Sequence, residues 1–166
     1  GTLIDWEKGI WDALRPILTE NDRLDLTKAS ALQQFAALES HQQSAVPSMS
    51  YASVLETVHA GFSLNNELTT TDEMNGKFAK SIENWPSFPD SADALHSLQR
   101  RYKLVILSNV DRAGFAASNR KLGVEFDAIY TAEDIGSYKP DLRNFAYMLR
   151  HLSEDFGFEK RDVLHV

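Results

Sequence analysis

The hydrophobic positions of the chain keep one period as far as residue 82 and mix two periods beyond residue 90. In the first stretch they recur every three to four residues, which predicts amphipathic helices. Ile10, Trp11, Leu14, Ile17 and Leu18 share one face of a helix over 6–18, with Asp5 as its cap and Pro16 in its late portion. A polar break at 21–26 precedes a second helix from a Thr27 cap to about His41, carrying Leu32, Phe35 and Leu38. After a loop at 42–50, Tyr51, Val54, Leu55, Val58 and Phe62 make the clearest stripe of this half. Met74, Phe78 and Ile82 mark a fourth helix that opens at Thr71 or Asp72. Stripes of this kind pack against one another, so residues 6–82 are expected to form a compact four-helix unit without strands.

Two prolines and two aromatics make Asn84-Trp85-Pro86-Ser87-Phe88-Pro89-Asp90 a stiff connector. Beyond it helices alternate with short apolar runs. A helix capped by Asp90 or Ser91 carries Ala94, Leu95 and Leu98. Leu104-Val105-Ile106-Leu107 is a continuous apolar run, as suits a strand buried on both faces, and it ends in Ser108-Asn109. Asp111-Arg112 then opens a helix to Leu122, closed by Gly123, whose first turn presents free backbone N–H groups to that strand end. Residues 126–130 read as a second strand, 136–141 as a loop, Phe145 to Phe156 as a helix closed by Gly157, and 162–166 as a third strand. Such alternation implies a parallel sheet, whose ligands gather at the carboxyl ends of the strands. Gly1-Thr2-Leu3-Ile4-Asp5 reads as the tail of a strand–loop element whose strand precedes Gly1.

Composition narrows the function classes. With 43% hydrophobic and 25% charged residues the chain is globular, and its net charge of −7 argues against nucleic acid or an anionic membrane surface as a main partner. Without cysteine there is no disulfide framework, thiol nucleophile or cysteine-based zinc site, which is compatible with the cytoplasm. The five histidines are scattered, with no pair at metal-ligand helical spacing, so they read as surface or packing residues.

The order of Gly1-Thr2-Leu3, a helical insert, a strand ending in Ser108-Asn109, and Tyr138-Lys139-Pro140-Asp141 before a helix resembles the haloacid dehalogenase (HAD) superfamily of aspartate-nucleophile hydrolases. Within it the likeness is to the haloacid dehalogenase type II branch, and 84–90 with 108–112 are also similar to a relative that opens the ring of azetidine-2-carboxylate. The resemblance implies an α/β fold: a Rossmannoid parallel sheet over 1–5 and 87–166, incomplete in its central strand and C-terminal part, with a helical cap inserted at 6–86. It implies an aspartate that attacks a small 2-substituted carboxylate and forms an ester, which water then hydrolyses. Lys139 would stand beside that carboxylate and keep it ionised, with Thr2 and Ser108 donating hydrogen bonds to it or to the substrate. Asn109 would hold the substrate's carboxylate or leaving group, and Trp6 and Trp85 would wall the crevice. Read without the resemblance, Lys139 is a solvated loop lysine, Thr2, Ser108 and Asn109 are turn residues, and the two tryptophans pack at a domain junction. The reaction implied needs no cofactor and no metal, and a homodimer is one arrangement the resemblance allows.

Several positions depart from the family pattern. Its nucleophile would precede Gly1 by three residues and its last acidic motif would follow Val166, so residues 1–166 are expected to be a fragment, or the ordered part, of a longer protein, and inert alone. The arginine of the second cap helix falls near Gln34, and a tyrosine six positions after the motif lysine is Phe145. Two other functions stay open. One is a phosphatase of the same superfamily using Mg²⁺, marked by Asp rather than an aromatic residue just before Gly1. The other is a non-catalytic interaction or structural protein derived from the fold.

Overall fold

The computed structural model describes residues 1–166. Four helices come first: α1 (Trp6–Glu20), α2 (Lys28–Ala45), α3 (Tyr51–Asn65) and α4 (Asp72–Lys80), followed by a 3₁₀ turn at Ser81–Asn84. Side chains of Asp5, Thr27, Ser50 and Thr71 accept the backbone N–H of Lys8, Ser30, Ser53 and Met74, so each helix starts where a polar cap meets an apolar stripe. α1 runs through Pro16 to Glu20, and α2 extends four residues past His41. The stripes meet in one core around Phe35, Val54, Leu55, Phe62 and Leu14, all fully buried.

His59 lies inside this core, 2% exposed, stacked on Phe78 at 4.6 Å between ring centroids, with Nδ1 2.7 Å from the Asn75 side-chain oxygen. That oxygen accepts, so Nδ1 carries the proton. Burial lowers the pKa of His59, and the bond to Asn75 offsets only part of the effect. The unfolded chain therefore binds this proton more readily than the folded one. The stability due to a neutral His59 should be complete above the unfolded value of about 6.5, and fall as the pH drops through it toward the folded value. Urea midpoints at pH 5 and pH 8 check this: wild type should lose more stability at pH 5 than His59→Gln does.

The α/β unit begins with α5 (Ser91–Gln99). Strand β1 (Val105–Ser108) pairs in parallel with β2 (Ala128–Thr131), Val105 opposite Ala128 and Ser108 opposite Thr131. The crossover is α6 (Arg112–Leu122), which ends at Gly123 with φ 65°. A one-turn helix, α7 (Ala132–Ile135), and then α8 (Leu142–Phe156) follow. β1 uses its period of two: Ile106 packs on the Leu95, Phe115, Leu122 and Phe126 cluster, and Val105 and Leu107 pack on Met148 and Leu152 of α8.

The sheet has two strands, and no strand runs along the second edge of β1, as the incomplete sheet implied by the resemblance has it, so its residues are half-buried although both faces are covered. One expectation changes. The strand expected at 162–166 is instead a 3₁₀ turn at Lys160–Asp162 and an irregular tail with Leu164 and Val166 more than 80% exposed. A strand persists only when its backbone groups find a ladder partner, and this tail has none.

The two chain crossings between the helical and α/β units lie side by side. Ile4 bridges Ser87 antiparallel, Asp5 N donates to Pro86 O at 2.8 Å, and Phe88 N donates to Leu3 O at 3.1 Å. Lys121 of α6 adds its ammonium to the carbonyls of Glu83 and Trp85, at 2.6 and 2.7 Å.

Candidate active site

The carboxyl end of β1 and the loop at 136–141 converge. Asn109, the first residue past β1, uses its whole amide on the backbone of Lys139: Nδ2 donates to Lys139 O at 3.0 Å, and Lys139 N donates to Oδ1 at 2.7 Å. The lysine side chain folds back on the strand, and its ammonium donates to Leu107 O at 2.6 Å. The 136–141 loop is also held from α8. Asn144, fully buried, donates to Ser137 Oγ and to Asp141 O, both at 3.2 Å, and Ser137 is itself 1% exposed. Gly136, at φ 70°, ends α7 and turns the chain into this loop, and the Lys139–Pro140 peptide is cis.

Electrostatics concentrate on Lys139. Burial lowers its pKa, and no carboxylate lies within ion-pair distance of it. Gly1 lies close enough to Lys139 to feel its charge. The structure thus brings Gly1, Leu107, Asn109 and Lys139 into one place. Thr2 next to Gly1 is exposed, and Ser108 is half-buried with Oγ 3.4 Å from Val110 N.

Other residues named from sequence sit differently. Trp85 is 4% exposed, its indole N–H donates to Ser81 Oγ at 3.1 Å, and its ring meets Tyr51 edge-on at 6.5 Å. Trp6 is half-buried at the start of α1. Gln34 bonds within the helical unit, to Ser30 and to Asn66. Phe145 stands edge-on to His165, 5.9 Å between centroids. The N-terminus of α6 is less open than expected, because Glu133 accepts Arg112 N at 2.9 Å and Asp111 accepts Gly114 N at 2.7 Å. An anion there would meet carboxylates on two of those amides.

Sequence reading missed Asn144 and Tyr138 as parts of this site. A polar residue inside the apolar face of α8 was the one available signal for Asn144. Tyr138 stood in the run with Lys139, but nothing local gave it a role, since a tyrosine in a polar loop looks exposed.

The family profile described as haloacid dehalogenase-like hydrolase matches residues 1–166. The chain belongs to that family. Its members are hydrolases, and the chain carries the family's α/β fold, mostly helical with a small parallel sheet. The L-2-haloacid dehalogenase from Xanthobacter autotrophicus superposes with a TM-score of 0.74 at 19% identity, covering 95% of this chain and 62% of that one. A defluorinating L-2-haloacid dehalogenase gives 0.77 at 17% identity, with 92% and 65% covered. A HAD-hydrolase from Bacillus subtilis, bound to magnesium and described as showing interdomain movement, gives 0.69 at 20%, with 90% and 69% covered. The chain spans about two thirds of the length of these relatives. At such identities the likeness establishes the fold. No curated protein matches the chain. No helix is long and apolar enough to cross a membrane.

Proposed function

We propose that residues 1–166 are the helical cap (6–86) and most of the core (1–5 and 87–166) of a cytoplasmic HAD-type hydrolase acting on a small 2-substituted carboxylate. The observation that carries this reading is the clamped Lys139, held by Asn109 at the carboxyl end of β1 with its ammonium turned onto Leu107. In the proposed reaction an aspartate oxygen attacks C2 of the substrate. The bond to the leaving group breaks, and halide, or the ring nitrogen of azetidine-2-carboxylate, departs with the electron pair. Water then cleaves the ester and returns the carboxylate. Lys139 has no anionic partner in 1–166 and fits the role of counter-charge to that aspartate. The proposal places the aspartate on a strand along the free edge of β1, leading into Gly1, so that 1–166 alone is inert.

In this scheme Ser108 and Thr2 donate to the aspartate or to the substrate's anionic group. Asn109 acts on the lysine, since both ends of its amide are committed to the Lys139 backbone. Trp6 and Trp85 are framework at the junction of the two units. The phosphatase reading has one observation in its favour, the likeness to a magnesium-bound relative. Magnesium takes oxygen ligands that usually include carboxylates. The Asn109 oxygen and Leu107 O are both engaged by Lys139, so these residues do not fit the ion.

The deciding experiment is to sequence the gene across both ends and assay its product. The expected result is Asp-x-aromatic directly before Gly1, and halide release from 2-haloacids or ring opening of azetidine-2-carboxylate. Asp-x-Asp with Mg²⁺-dependent phosphate release would replace this reading with the phosphatase. No acid at either end would exclude ester catalysis and favour a non-catalytic partner-binding role.

A further inference from the structure

We infer that Tyr138 is a positioning residue: through a hydrogen bond to the cap it holds Lys139 in place, so that the seating of the cap sets the surroundings of the site lysine. The inference rests on the reading of Lys139 given above. Tyr138 directly precedes Lys139 and is 6% exposed, and its hydroxyl donates to the carbonyl of Met49 at 2.6 Å. Met49 lies in the loop between α2 and α3, so the bond crosses from the α/β unit to the helical one. The same cap segment is held a second time. Ala52 N, in the first turn of α3, donates to Asp111 Oδ2 at 3.4 Å, while Asp111 Oδ1 caps α6. Asp111 stands two positions after Asn109, whose amide grips Lys139.

Residues 49–52 therefore touch both loops that build the site, one residue before the lysine and two residues past the asparagine. A cavity of about 210 Å³ lies between these contacts, lined by Met49, Tyr51, Asp111, Glu133 and Tyr138 among others. Burial, with the Asp111 and Glu39 carboxylates nearby, pushes the Tyr138 phenol up to about 12. The hydroxyl thus stays a donor across the working range of pH, and the tie is a constant one.

Tyr138→Phe keeps the buried ring and removes only the hydroxyl. Ala52→Pro removes the N–H given to Asp111 at a first-turn position that accepts proline. Two readouts are followed in each variant: amide exchange along the chain, and the pH midpoint for acylation of Lys139, read by peptide mass spectrometry. Losing one such hydrogen bond should speed exchange by about fivefold, across Met49–Ala52 in Tyr138→Phe and across the amides that remain there in Ala52→Pro, where residue 52 has none to exchange. The Lys139 midpoint should rise toward that of exposed lysines, while exchange at Met148–Leu152 stays as in wild type. The inference is overturned by unchanged exchange at Met49–Ala52, by a fixed Lys139 midpoint despite faster exchange there, or by a uniform rise that includes α8. Neither readout requires turnover, so failure here is separable from failure of the hydrolase reading.

Discussion

Gly9→Ala should destabilise the protein by about 1–3 kcal/mol, although alanine is the better helix former by nearly 1 kcal/mol. Gly9 lies buried in α1, and a methyl group built on it would stand 2.3 Å from Cγ and 2.4 Å from Cδ1 of Trp85. Those atoms belong to a rigid indole at the crossing between the two units. The ring cannot turn aside without giving up its bond to Ser81 and its edge contact with Tyr51. Overpacking at such a point moves backbone. Gly61 in α3 is the matched control, because there an added methyl meets only Leu38 side-chain carbons at 3.6 Å and beyond. Gly61→Ala should gain about 0.4–1 kcal/mol by narrowing the unfolded ensemble. Urea midpoints of the two variants should therefore move in opposite directions. A Gly9→Ala protein as stable as wild type would contradict the close approach of α1 to Trp85.

Lys139→Met in the catalytically complete enzyme should lower turnover by about 10²-fold or more, the usual effect of removing a preorganised charge partner. Stability should not fall in proportion. The Lys139 pKa is lowered by burial, so the folded state holds this proton less readily than the unfolded one. The ammonium's contribution is thus most unfavourable at neutral pH, and it eases as the pH rises through the folded value toward 10.5. Methionine removes that desolvation cost and gives up the charged bond to Leu107 O, worth about 1.5–3 kcal/mol. Turnover and thermal midpoint measured on one preparation separate the two effects. A variant that lost stability and activity together would mark Lys139 as a structural residue.

The helical half was legible because each helix carries its own start signal and its own stripe. Asp5 and Thr27 cap where the sequence placed caps, the fourth helix starts at Asp72 behind Thr71, and Gly123 and Gly157 close helices at positive φ. β1 and β2 were legible as short apolar runs flanking a capped helix. The run at 162–166 carried the same signal and forms no strand, because a strand depends on a neighbour that local sequence does not name.

The site divides in the same way. The sequence alone determined which chemistry-bearing residues the chain owns, their order, and the strand end at which Ser108 and Asn109 emerge. These are local properties, written in residue type and period. Only the tertiary structure decided that Asn109 spends its amide on Lys139, that the α6 N-terminus is already taken by Asp111 and Glu133, and that Tyr138 reaches Met49. Each of these depends on partners 3 to 89 residues apart in the chain. Apart from the local Asp111 cap, they form only when distant segments pack and buried polar groups must find one another, and the Tyr138 bond to Met49 needs the two units together.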